Sequence, residues 1–260
     1  MIRSLLFIGL TLLPLQLFSA APLRHVENRV FGPGEQCLFD VRYGFIHGGT
    51  AKLEVTDTLR IRGFLCHVIH AEALSNAALS LVFPVRDTHY SYVDVYGLFS
   101  LKIEKNVNEG SYHSRRFTTF DPEKQTATTM TRTFPTALLP QDVISTFYYF
   151  RLIDITDSMD INCVDNYKSY PLRIHLRGRE KVKTPLGQFD CLILEPKLAS
   201  EGIFLKAGKI TLWVTDDKAR IPVMMKFKLP YLGNITCLLI NYRPGIIVSQ
   251  EPKEEKDETP

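Results

Sequence analysis

The sequence predicts a mainly β fold: a single antiparallel curved sheet or half-open β-barrel, with one amphipathic helix at about residues 140–152 packed on it. Three observations predict it. From Glu35 onward, apolar and polar residues alternate with the period of two that a half-buried strand requires. Turn chemistry recurs at the interval of about 8–12 residues expected of an antiparallel all-β domain. A single segment switches to helical spacing.

The first strand carries Cys37, Phe39, Val41, Tyr43 and Phe45 on its inward face, with Gln36, Asp40 and Arg42 on the other. His47-Gly48-Gly49 then reads as the turn of a β-hairpin, after which Ala51, Leu53 and Val55 resume the inward face. A third strand is expected over residues 64–73, across Arg62-Gly63. Extended runs follow over 87–96, 98–107, 112–120 and 126–134, separated by Gly97, Asn108-Glu109-Gly110 and Asp121-Pro122-Glu123. The Thr-rich run 126–134 combines β propensity with little apolar content, as an edge or solvent-facing strand does.

The helix comes next. Val143, Phe147 and Phe150, with Ile144 and Tyr148 beside them, recur at helical spacing after Pro140 and Asp142, residues suited to a helix start. Strands at 170–179, 189–195, 209–215, 221–229 and 234–242 complete the domain. The turn Asp216-Asp217-Lys218 is too short for a crossover, so the strands it joins pair antiparallel.

Both ends of the chain differ from this body. Residues 1–20 read as a secretory signal peptide: a basic start at Arg3, an apolar run interrupted by Pro14 and a small-residue exit at Ser19-Ala20-Ala21. The run lacks the ~20 apolar residues of a membrane span, and no later segment is apolar enough to be one. Residues 21–249 form one domain, and residues 250–260 read as a disordered acidic tail. The net charge of +3 thus divides into Arg3 of the leader, 28 basic and 23 acidic residues over 22–250, and a tail with two Lys against five acids. Cations spread this evenly do not make a nucleic-acid surface. Five Cys leave at least one unpaired, and with no CxxC we expect them as small buried hydrophobes.

No motif fixes a reaction. GxSxG, HExxH, a Walker loop and GxGxxG after a strand are all missing, so we expect a non-enzymatic protein without cofactor. His67 and His70 differ by three and so face apart on a strand, and no metal site is expected. If the protein is an enzyme, its chemistry belongs to a carboxylate pair drawn from Asp87, Asp94, Asp142 and Asp216, acting on envelope glycan or peptidoglycan. The aromatic residues are the more suggestive feature. Phe39, Tyr43, Phe45, Phe147 and Trp213 are aimed inward by the alternation and are the candidate lining of a ligand site. A face of this kind either fills with side chains or encloses an apolar ligand.

Several segments, taken in order, resemble the bacterial exported family catalogued as domain of unknown function 3108. They are Phe31-Gly32-Pro33-Gly34-Glu35 with the strand after it, Tyr92-Val93-Asp94, Gln141-Asp142-Val143-Ile144-Ser145 through Arg151, Thr184-Pro185-Leu186-Gly187-Gln188-Phe189-Asp190-Cys191, and Leu212-Trp213-Val214-Thr215-Asp216-Asp217 with Ile221-Pro222. The resemblance implies a periplasmic or envelope protein of antiparallel β fold and supplies no activity. The C-terminal hairpins also look like those of lipoprotein carriers, whose half-barrels hold acyl chains. The expectation is a periplasmic binder or carrier of a lipid or other hydrophobic envelope molecule. An envelope hydrolase and a scaffold that pairs through the edge at 126–134 are the alternatives.

Overall fold

The structure, a computed structural model, describes residues 24–165, 167–198, 209–229 and 233–250. The signal peptide expected over 1–20 and nearly all of the acidic tail lie outside them. Among the described residues one antiparallel sheet of 14 strands dominates. The strands are β1 Gln36–Tyr43, β2 Ile46–Ile61, β3 Phe64–Ser75, β4 Arg86–Asp94, β5 Ser100–Glu109, β6 Tyr112–Asp121, β7 Thr126–Thr129 and β8 Thr133–Pro135, then β9 Ser158–Asp165, β10 Lys168–Thr184, β11 Gly187–Leu198, β12 Lys209–Thr215, β13 Pro222–Leu229 and β14 Gly233–Arg243. Helix α1 is Ala77–Ser80 and α2 is Val143–Tyr149.

The strands follow one another as two meanders, β1 to β8 and β9 to β14, joined where β1 pairs with β14. A sheet this wide must curl. Register shifts between Leu38 and Phe39, Val55 and Asp57, Tyr92 and Val93, Leu176 and Gly178, and Trp213 and Val214 place local bends along it. The two outermost strands do not pair with each other, so the barrel is half open. A single bridge between Gln141 and Cys163 ties β9 to the segment leading into α2.

Helix α2 sits inside the curve and is shorter than expected. Leu139 has φ +53°, which no helix continues through, and Asp142 caps the first turn. Its Oδ1 accepts from Ile144 N (2.7 Å) and Ser145 N (3.0 Å), while its own N–H donates to Ser145 Oγ (2.8 Å). Oδ2 accepts from Ser91 Oγ (2.5 Å) on β4 and Ser100 Oγ (2.6 Å) on β5, which pins the helix start to the sheet.

The end of α2 is held by a buried ion pair. Arg151 donates to both carboxylate oxygens of Glu35 at 2.8 Å, and neither side chain is more than 3% exposed. Burial opposes the guanidinium charge, yet the hydrogen bonds and charge of Glu35 hold its pKa above the ordinary arginine value. Nε of Arg151 reaches Ala219 O at 3.1 Å, and Tyr242 Oη adds a bond to Glu35 at 3.2 Å.

Three details depart from the sequence reading. The first hairpin turns at Gly44-Phe45, where Gly44 has φ +59°, rather than at His47-Gly48-Gly49, which belong to β2. There Gly49 permits a close approach: a Cβ would stand 1.9 Å from Leu74 O on β3. The run 126–134 is a small hairpin, with Thr129 Oγ1 accepting backbone N–H bonds within the turn and β8 at the sheet edge. Strand β9 and helix α1 were not expected. The five Cys are free and buried.

Candidate functional site

The interior is divided by α2. Ile144 and Tyr148 face one side, packed with Phe31, Val55, Ile69, Ile103 and Phe120. Phe31 and Tyr148 meet edge-on at 4.6 Å between ring centroids. The chain before β1 closes this end: Arg24 donates to Gly97 O and Tyr149 Oη, Val26 N to Tyr96 O, and Gln250 Nε2 to Val26 O.

The other side is open. A cavity of about 1450 Å³ lies between α2 and strands β1–β3 and β9–β14. Val143, Thr146 and Phe147 form its helical wall. Opposite them are Ile210, Leu212, Met225, Phe227 and Ile235, whose alternate positions on β12, β13 and β14 face inward. Ala51 and Ala73 leave room on the near strands. The lining is chiefly apolar, with charged side chains gathered toward the mouth.

Asp87, His89 and Glu109 stand together there on β4 and β5. Asp87 Oδ1 accepts from Asn108 N at 2.7 Å. Burial raises the Glu109 pKa, and the neighbouring charge of Asp87 adds to it. Burial lowers the His89 pKa and favours the neutral ring. On the outer face of β1, between inward-facing Phe39 and Val41, burial would raise Asp40, but hydrogen bonds from Arg42 and His47 outweigh it and hold the carboxyl below its usual range.

The aromatic candidates separate. Phe147 lines the cavity and Tyr43 its mouth. Phe39 is buried in the core among Cys37, Leu239 and neighbouring strands. Two inward assignments are corrected. Phe45 is 90% exposed, because the turn at Gly44-Phe45 ends the alternation one residue before it. Trp213 faces the outer side, since its neighbours Leu212 and Val214 take the inward positions of β12. Its indole N–H donates to Glu180 (2.8 Å), where β10 folds over the outer face of β13 and β14.

The acidic candidates do not converge as a set. Asp87 meets Glu109, which the sequence reading did not single out. Asp142 is the helix cap. Asp94 accepts backbone N–H groups of Tyr96 and Gly97, with burial raising its pKa. Asp216 forms an exposed pair with Arg179 at 2.6 Å. Among the described residues no three His, Cys, Asp or Glu side chains converge on a metal-binding point, and no helix is long and apolar enough to cross a membrane.

Residues 38–240 match the family described as "Protein of unknown function (DUF3108)". The chain belongs to this family. No curated protein matches it. Among solved structures it is similar to a β-barrel-like protein of domain of unknown function 1849 from Brucella abortus, at a TM-score of 0.51 and 8% identity, over 85% of this chain and 99% of that one. That likeness is one of fold. A protein from Bacteroides fragilis described as exported, with a YmcC-like fold, matches at a TM-score of 0.36 and 10% identity, over 85% of this chain and 99% of that one. One from Parabacteroides distasonis, described as a lipoprotein, matches at 0.33 and 9%, over 86% of this chain and 100% of that one. The DUF3108 match includes both walls of the cavity and the whole of α2.

Proposed function

We propose that this DUF3108 protein is a non-enzymatic periplasmic binder or carrier of a hydrophobic or amphipathic cell-envelope molecule, exported by a signal peptide at residues 1–20. The cavity carries the reading. Its volume of about 1450 Å³ exceeds the ~300–1,000 Å³ of common small-molecule sites. Water gains little from apolar walls, so a space of this kind suits an acyl chain or similar apolar body. The charged groups at the mouth leave a place for a polar head.

The hydrolase reading has less support. The acidic candidates Asp87, Asp94, Asp142 and Asp216 are spread over separate roles, with Asp142 capping α2, Asp94 holding the backbone of Tyr96 and Gly97, and Asp216 paired with Arg179, and do not face one another as the carboxyl pair a glycosidase needs. An edge-pairing scaffold meets a three-residue strand β8 that ends in Pro135, a poor template for another chain.

Lipid extraction and native mass spectrometry of protein purified from its own envelope test the proposal. A co-purifying apolar ligand is expected. The apo protein should bind the fluorescent probe N-phenyl-1-naphthylamine, and Ala73→Phe, which projects a ring into the cavity, should weaken that binding about tenfold. Ligand-free protein that also ignores the probe overturns the reading.

A further inference from the structure

The cavity mouth is bordered by apolar side chains that the fold leaves in solvent. The turn between β1 and β2 presents Phe45 (90% exposed) and Ile46 (56%), and the loop between β3 and β4 presents Leu81 (89%) and Val82 (85%), with Phe83 behind them. The loop between β3 and β4 is tied to the start of β2, just past that turn: Asn76 N donates to Gly48 O (2.8 Å) and Asn76 Nδ2 to His47 O (2.7 Å). The Phe83 ring rests on Gly110, where a Cβ would stand 2.8 Å away, so the turn between β5 and β6 supports the loop from below.

Such a cluster in solvent marks an interaction surface. We infer that this collar docks on the surface of a lipid bilayer, so that the cavity opens against the membrane. Three observations favour lipid over another occupant. The side chains project from turn tips, which suits insertion among headgroups and does not form a flat or grooved face for a folded partner. The collar is continuous with the cavity lining through Ile46, Leu79, Val82 and Phe83, so an apolar ligand could pass between bilayer and cavity without crossing water. Exposed Arg42, Arg86 and Lys228 occupy that end of their strands, Arg42 paired with Asp40, and offer cations to anionic headgroups. The inference goes beyond ligand binding in the cavity and is tested apart from it.

Flotation of the purified protein with vesicles of phosphatidylethanolamine and phosphatidylglycerol is the experiment. The wild-type protein should float with them. The double variant Phe45→Asp, Leu81→Asp should lose about tenfold or more of that binding while keeping its thermal unfolding and its uptake of N-phenyl-1-naphthylamine, because neither residue lines the cavity. Ala73→Phe should do the reverse, losing probe and keeping vesicles. Wild-type protein that takes up the probe but stays off the vesicles overturns the docking inference and leaves the cavity reading standing. Vesicle binding without probe uptake does the opposite. Equal flotation of wild type and the double variant, or a dimer that the double variant converts to monomer, also overturns it.

Discussion

The two sides of α2 have the same walls and different contents. Both are curved antiparallel sheet facing one helix, yet on one side Phe31, Phe120 and Tyr148 meet, and on the other a space of about 1450 Å³ is left. The difference lies less in the strands than in what is added to them. The chain before β1 brings Val26, Val30 and Phe31 into the first side, and nothing described fills the second. A half-barrel of this breadth is therefore hollow wherever no extra segment enters it, and its core is built by insertion as much as by alternation.

The largest effect should come from the pair that joins the halves. Arg151→Met leaves the Glu35 carboxylate buried without its partner and should lower unfolding stability by about 3–5 kcal/mol. Chemical denaturation measures it, and Glu35→Leu combined with Arg151→Met should recover much of the loss. A single variant as stable as wild type would mean that the two halves do not depend on this contact.

Acid should act on the filled side next. His67 is fully buried on β3 with its ring 5.4 Å from that of Phe31, and burial pushes its pKa down to about 4. In the unfolded chain the value is about 6.5. Between these values the unfolded state binds a proton that the folded state excludes, so stability present above pH ~6.5 is lost as pH falls toward ~4, about 3 kcal/mol in all. Denaturation across that range in wild type and His67→Phe measures it. The variant should show a shallower slope, and equal slopes would exclude His67 as the source.

The smallest effect compares the two interiors most directly. Ala127 is fully buried on the filled side, and Ala73 lines the cavity. Ala127→Leu should cost about 1–3 kcal/mol by overpacking, whereas Ala73→Leu should stay within about 0.5 kcal/mol of wild type. Equal costs would mean that the open side is as tightly packed as the other.

Much of the fold was legible in the sequence because the strand signal is local. β12 begins and ends where alternation places it, and the helix is marked by its aromatic spacing and Asp142. Turns were harder. Gly48-Gly49 offers the stronger turn signal, but the close approach of β3 needs Gly49, and Gly44-Phe45 makes the turn instead. That shift moved Phe45 from the expected lining to the collar. Trp213 is the aromatic exception on its strand: Ile210, Leu212 and Val214 set the inward phase of β12 and put Trp213 with Lys209, Thr211 and Thr215 on the other face, where a contact distant in sequence, with Glu180 on β10, accounts for it. The cavity was legible only as one of two outcomes. Whether an aromatic inner face fills or stays hollow depends on curvature and on residues 24–35, and both are set by contacts distant in sequence. Glu35 and Arg151, 116 positions apart, belong to two of the segments that carry the family resemblance, but their contact is visible only in three dimensions.

The half-open seam has one further consequence. In a closed barrel, strand number and shear together allow only certain diameters. Here β8 and β9 share no ladder, and β9 is held through Gln141, by Val164 N to Gln141 O (2.7 Å) and Gln141 N to Asn162 O (2.8 Å), and by Lys105 to Asp165 (2.6 Å). The circumference is not quantised. The girth of the interior is set instead by the twist between neighbouring strands and by the few contacts through which β9 is held.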